Sequence, residues 1–243
     1  MTHPDRADRA LGMRLAVAAI VTVVVLVPAA LIGILVEDRW DALYDVDESV
    51  TRSVHAFAIG HHTWVVAMDW WCRVFEPTVL RVAAAVLALW LWRRRHSPRV
   101  ALWVVITMTA GGVLGAVLKL LVGRNRPSLL EPVARATGYS FPSGHALNSA
   151  LAAGVFLLVF LPFTRGRPGR RVLLWTAAVT MPLVTGLCRI GLGVHWTSDV
   201  VGGWLLGTAV VVVTATVFEA WRVWSGRRRA DVAEEGVEPE LGA

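Results

Sequence analysis

Charge is scarce in this sequence. Asp, Glu, Lys and Arg make up 17% of its 243 residues, where an ordinary soluble domain carries about 25%. The apolar residues, 56% of the chain, do not recur at helical or strand spacing but lie in unbroken runs near the length of a bilayer crossing. That excludes a soluble enzyme. It also excludes a β-barrel, whose strands would be about ten residues long and alternate apolar with polar. Cysteine is scarcer still: Cys72 and Cys188 are too few for a disulfide framework and show no metal-ligand spacing. Lysine occurs once, as Lys119, among 24 basic residues. From Pro77 to Phe218 the only acidic residues are Glu131 and Asp199, too few for the carboxylate cage of a Mg²⁺ site or a two-metal phosphatase. Any phosphoryl chemistry here is expected to need no metal and no cofactor.

What is present is a series of apolar runs: Leu15–Val36, Val74–Trp92, Val100–Val122, Ala146–Phe163, Val172–Ile190 and Val200–Val217. They predict an all-α integral membrane bundle of six crossings. Between the first two, Val54–Phe75 is interrupted by His61, His62, Asp69 and Arg73, and reads as an amphipathic helix at the interface. With six crossings, all the Arg clusters fall on one side: Arg6, Arg9 and Arg14; Arg93 to Arg95 and Arg99; Arg165, Arg167, Arg170 and Arg171; Arg222 and Arg227 to Arg229. The positive-inside rule makes that side the cytoplasm, with both termini on it. A seventh crossing would put two clusters outside. Trp90, Trp92, Trp103, Trp175, Trp221 and Trp224 fall at the same ends and are expected to anchor in the headgroup region. The first run is longer than a signal-peptide core, lacks an A-x-A site, and is expected to stay as an uncleaved helix. The expected organisation is a tail over 1–14, a membrane domain over 15–220 and a disordered tail over 221–243. The acidic stretches Glu37–Glu48 and Asp231–Glu240 are expected to be solvated.

Polar residues collect at the outward ends of the third to sixth crossings, where the cost of placing them makes them functional candidates. Lys119-x6-Arg126-Pro127 spaces two cations by two helical turns, on nearly one face, with Pro127 ending the helix. Snorkelling to the membrane surface would explain them equally, but a chain that otherwise uses Arg has Lys here, as a site wanting a compact ammonium would. Pro142-Ser143-Gly144-His145 stands where the fourth crossing begins, offering a hydroxyl, free backbone N–H groups and a positive helix end that suit a phosphate. It is also a common way to start a helix. Arg189-x5-His195-x3-Asp199 puts a carboxylate four residues from an imidazole, over which it would lie on a helix, holding one ring nitrogen and freeing the other as a nucleophile. Asp199 could equally cap that helix.

In order and spacing, these three clusters resemble the signature of the type 2 phosphatidic acid phosphatase superfamily, over roughly Val74–Val217. The resemblance implies a membrane lipid phosphatase in which His195 attacks phosphorus, Asp199 orients it and His145 protonates the leaving oxygen. Lys119, Arg126, Ser143, the Gly144 backbone N–H and Arg189 would then bind the phosphate. Cys188 stands where the family usually has Ser. The vanadate-dependent haloperoxidases share the signature but are soluble. The expected partners are the membrane and a lipid phosphate, with no nucleic acid. Candidates include undecaprenyl or another polyprenyl diphosphate, phosphatidate, phosphatidylglycerol phosphate and lipid-linked sugar phosphates. A phosphotransferase and a non-catalytic lipid-phosphate binder or transporter are the alternatives.

Overall fold

A computed structural model describes residues 4–128 and 136–224. The Leu129–Arg135 loop with Glu131, the cluster Arg227–Arg229 and the acidic tail Asp231–Glu240 lie outside them. Among the described residues eight α-helices follow one another: α1 (Pro4–Glu37), α2 (Asp41–Ile59), α3 (His62–Val74), α4 (Pro77–Arg95), α5 (Pro98–Val122), α6 (Gly144–Phe160), α7 (Pro168–Gly191) and α8 (Thr197–Trp224). A 3₁₀ turn, Leu161–Thr164, extends α6.

Among the described residues six stretches are long and apolar enough to cross a bilayer. One of them, His62–Arg95, contains both α3 and α4. Its 34 residues would reach about 50 Å as one helix, well beyond a hydrocarbon core of about 30 Å. Phe75, Glu76 and the helix-starting Pro77 break it, and the 19 residues of α4 suffice for the crossing. The amphipathic segment expected over Val54–Phe75 is therefore the end of α2 together with α3, divided at Gly60 and His61.

Helix α6 lies at the centre, packed against α4, α5, α7 and α8. Ten of its residues are buried, most of them small. Small residues let backbones approach, which is how helices gain contact in a solvent as apolar as their own side chains. The closest approach is to α8. A methyl group at Gly203 would lie 2.8 Å from the Ser143 carbonyl oxygen, and one at Gly207 2.6 Å from that of Leu147. These two glycines bring the start of α8 against the start of α6. Leu87, Leu91, Trp103, Val104, Leu147, Leu151 and Val155 fill the core beneath. Trp103 is thus a core residue rather than an interfacial anchor, while Trp92 and Trp175 are exposed as anchors would be.

The acidic stretch after α1 is not a solvated loop. From Asp41 it forms the first turns of α2; Glu37, Asp38, Asp41, Asp45 and Glu48 are exposed as expected of a solvated stretch, but Asp47 is 1% exposed. The buried residues of α2, Asp47, Thr51, His55 and Ala58, recur every three to four positions and make one inward stripe that is mostly polar. One flank of the helix exposes Val46, Val50 and Phe57, and the other carries Glu48 and Arg52, which pair with each other.

Candidate active site

All three clusters meet at one end of the bundle, where α5 and α7 finish and α6 and α8 begin. Each terminus contributes differently. Helix α5 ends at Val122 because Gly123 takes a left-handed conformation (φ 60°) and returns its N–H to the Lys119 carbonyl. Pro127 is not the stop, and Arg126 does not share a helical face with Lys119. The two cations converge across a strap instead. Lys119 Nζ donates to the Tyr139 carbonyl at 2.6 Å, and Arg126 Nη2 donates to the same oxygen at 3.3 Å. Arg126 also donates to the carbonyls of Thr137, Gly138 and Val194 and, from Nη1, approaches His195 Nε2 at 3.1 Å.

Ser143 is fully buried as the N-cap of α6, where its Oγ accepts from the Ala146 N–H. Its own N–H donates to the Asp199 carbonyl at 2.9 Å, joining the second cluster to the third. Asn148, one turn into α6, donates to the Gly144 carbonyl and accepts from Arg81 Nε. His145 sits in the first turn of α6, within electrostatic reach of Arg189, His195 and Arg126. Arg189 is in the last turn of α7, and its buried Nε has no partner among the described residues.

His195 is not on a helix, as its spacing to Asp199 had suggested; it lies two residues before α8, which begins at Thr197. Asp199 reaches back from the first turn. Its Oδ2 accepts from His195 Nδ1 at 3.3 Å and from the Trp196 N–H at 2.9 Å. The second bond is the return half of a capping box, so capping and orienting the imidazole are one act of one carboxylate. A carboxylate at Nδ1 and a guanidinium at Nε2 fix the tautomer: the proton is on Nδ1, and Nε2 presents a lone pair. Burial lowers the pKa of His195 from 6.5 to about 4, and Arg126 and Arg189 act in the same direction against the pull of Asp199. The ring is neutral at physiological pH. Burial and Arg189 also lower the pKa of Arg126, which nevertheless stays charged.

Two residues that the motif spacing does not mark complete the site. Arg124, 5% exposed, donates from Nη1 to Asp199 Oδ1 (2.8 Å) and Ser198 Oγ (2.7 Å), and from Nη2 to Asp47 Oδ2 (2.7 Å). Tyr44 and Trp196 flank its guanidinium at 4.6 and 5.5 Å. Burial opposes its charge, but Asp199 and Asp47 outweigh burial and raise its pKa. Asp47 in turn accepts from the Ser198 N–H at 2.7 Å. One sequence signal could have found Asp47: the polar spacing Asp47-x3-Thr51-x3-His55 beside an apolar flank. For Arg124, two residues before Arg126, no such signal exists.

The charge balance selects the ligand. Lys119, Arg126 and Arg189 gather near a neutral imidazole, and among the described residues the carboxylate that acts on the first two, Asp199, is already engaged by Arg124. Such a site attracts an anion with several oxygens. Among the described residues no three metal-ligating side chains come together.

Comparison with known proteins gives the family and the fold. The model of the PAP2 superfamily matches residues 100–222, and the chain belongs to that superfamily. An undecaprenyl-diphosphatase of Sulfolobus acidocaldarius is 31% identical over 130 residues, covering 51% of this chain and 57% of that protein. Phosphatidylglycerophosphatase B of Bacillus subtilis is 36% identical over 98 residues, covering 39% of this chain and 46% of the relative. The chain thus spans about half the length of these two relatives. The crystal structure of a transmembrane PAP2-type phosphatidylglycerolphosphate phosphatase from Bacillus subtilis superposes with a TM-score of 0.70 at 21% identity, over 79% of this chain and 93% of that one. It shares the fold.

Proposed function

We propose that this protein is a membrane phosphatase that hydrolyses a lipid phosphate or diphosphate through a phosphohistidine on His195. The observation that carries this is the orientation of His195. Its Nε2 lone pair points toward the cations, while Asp199 holds the proton on Nδ1. In the first step the Nε2 lone pair attacks phosphorus, the bond to the lipid oxygen breaks, and His145 gives that oxygen its proton. The imidazole becomes cationic, and Asp199 stabilises it. Water then attacks the phosphorus, His145 takes the water's proton, and the P–N bond breaks, returning its electron pair to Nε2. Lys119, Arg126, Arg189 and the Gly144 N–H would hold the equatorial oxygens, which suits a reaction whose catalysis is mostly positioning and charge stabilisation.

The substrate class rests on placement and kinship. The site lies at the end of the bundle opposite Arg93–Arg95, Arg165 and Arg170, which the positive-inside rule assigns to the cytoplasm. Both termini would then be cytoplasmic, and the site would face outward and receive substrate from the outer leaflet. Relatives named for undecaprenyl diphosphate and phosphatidylglycerophosphate support a lipid diphosphate or monophosphate, with a polyprenyl diphosphate preferred.

Purified enzyme should release inorganic phosphate from a panel of lipid phosphates in EDTA. Substrate labelled in its terminal phosphate should leave acid-labile, alkali-stable label on the wild type and none on His195→Ala. Strict dependence on added Mg²⁺, or near-normal turnover by His195→Ala, would reject the mechanism. Phosphate appearing only on an added alcohol would make the protein a transferase.

A further inference from the structure

The loop that carries His195 lies between Gly191, the last residue of α7, and the first turn of α8 with Ser198, and α2 holds both of these flanks. At the first end His55 Nδ1 donates to the Gly191 carbonyl at 2.9 Å. At the second, Asp47 accepts from the Ser198 N–H and from Ser198 Oγ. Neither bond reaches the reacting atoms. A third connection does so indirectly, because Asp47 holds Arg124 and Arg124 holds the Asp199 oxygen that His195 does not use. The stripe that makes these bonds is the polar face of a helix whose exposed flank is apolar, and turning a polar face inward at a membrane is costly unless the face has a task.

We propose that α2 and Arg124 form a positioning device for the nucleophile: Asp47 and His55 fix the loop that carries His195, and Arg124 shares the charge of Asp199, setting how strongly that carboxylate holds the imidazole proton. This rests on His195 being the nucleophile. An Asp199 released from Arg124 would pull harder on the Nδ1 proton and favour the imidazolium, which cannot attack. An Asp199 that had Arg124 to itself would pull less. Asp47 is therefore a counterweight that divides the guanidinium between two carboxylates. Among the described residues the other charged or titratable groups acting on His195 are Arg126, between α5 and α6, Arg189 from α7 and His145 from α6, and Lys119 from α5 acts on Arg126, Arg189 and Asp199. None of them is altered in the variants below.

The test compares Arg124→Met, Arg124→Lys, Asp47→Asn and the Asp47→Asn/Arg124→Met double variant in full-length detergent-solubilised enzyme, with His195→Ala alongside. Phosphate release is measured against substrate concentration and pH. Arg124→Met should lower kcat by about 100-fold and Asp47→Asn by about 10-fold, the range seen when outer partners of a reactive group are lost. KM should change little, since neither residue is placed on the phosphate. The acid limb of kcat/KM should move to higher pH in Arg124→Met and to lower pH in Asp47→Asn, and Arg124→Lys should recover part of the loss. The acid limb of the double variant should match that of Arg124→Met, because Asp47 reaches Asp199 only through Arg124, whereas the lost bonds to Ser198 should lower kcat further. Should Arg124→Met fail to fold, Asp47→Asn and Arg124→Lys still carry the pH test. Losses confined to yield and thermal stability, an unmoved acid limb, or a double variant whose acid limb differs from that of Arg124→Met would overturn the device. An active His195→Ala would instead remove the nucleophile on which it rests.

Discussion

The two ends of the bundle are both rich in arginine and, with the exception of Arg222, 6% exposed in the last turn of α8, treat it in different ways. At one end Arg93 and Arg94 are exposed, and Arg95 lies over Trp90 and Phe163. These side chains run along apolar surface to bring their charge to water. At the other end Arg124 is buried between two carboxylates, and Arg126 spends its donors on four carbonyls and an imidazole. An arginine that can reach water is cheap and nearly interchangeable. One that cannot must find built acceptors for its charge, so the structure around it is specified in detail. The site is at the end where arginine is expensive.

The sharpest way to break this contrast is at the nucleophile. His195→Ala is expected to lower turnover by about 10⁴-fold or more, measured as phosphate release, because no other group supplies the attacking lone pair. Arg126→Ala should follow with a loss of about 10²–10³ in kcat, the cost of one donor to the transferring group. It should also weaken competitive inhibition by vanadate, whose five-coordinate form mimics in-line transfer. Arg93→Gln and Arg94→Gln, the matching changes at the other end, should leave kcat and KM within about twofold. A large loss there would mean that the second end has a function of its own.

Packing offers an intermediate test. Gly207→Leu must push α8 away from the Leu147 carbonyl and should cost about 1–3 kcal/mol or more in thermal unfolding, lowering activity with it because the starts of α6 and α8 separate. Acid should act on the same end. The unfolded chain takes up a proton on His195 as pH falls through 6.5, whereas the folded chain does so only near 4. Stability present above pH 6.5 is therefore lost between about 6.5 and 4, while the nucleophile remains neutral in that window. Thermal unfolding should decline over this range in the wild type and less steeply in His195→Ala. The smallest effect belongs to Cys188→Ser, which should preserve or raise phosphate release; a severe loss would assign the thiol a role.

The orientation of both ends can be read directly. A cysteine at exposed Ser128 in a Cys72→Ser/Cys188→Ser background should react with an impermeant reagent in intact cells. Labelling only after lysis would place the site on the cytoplasmic side and exclude outer-leaflet substrates.

Much of this molecule was legible from the chain alone, because hydrocarbon imposes its constraint residue by residue. A crossing must be apolar along its whole length, so the six runs and the ends of most helices could be read from composition. The three clusters were legible too, since each is a local spacing beside a helix terminus. Only the packed structure decided how those spacings are used. Gly123, not Pro127, ends α5, and the cations meet over the Tyr139 carbonyl instead of along a helical face. The acidic stretch that looked solvated supplies Asp47, whose partner Arg124 is 77 positions away. A charge written in sequence does not say whether it will meet water or a counter-charge. That is settled when α2 lays its polar stripe against the loop before α8, where burial makes the pairing obligatory.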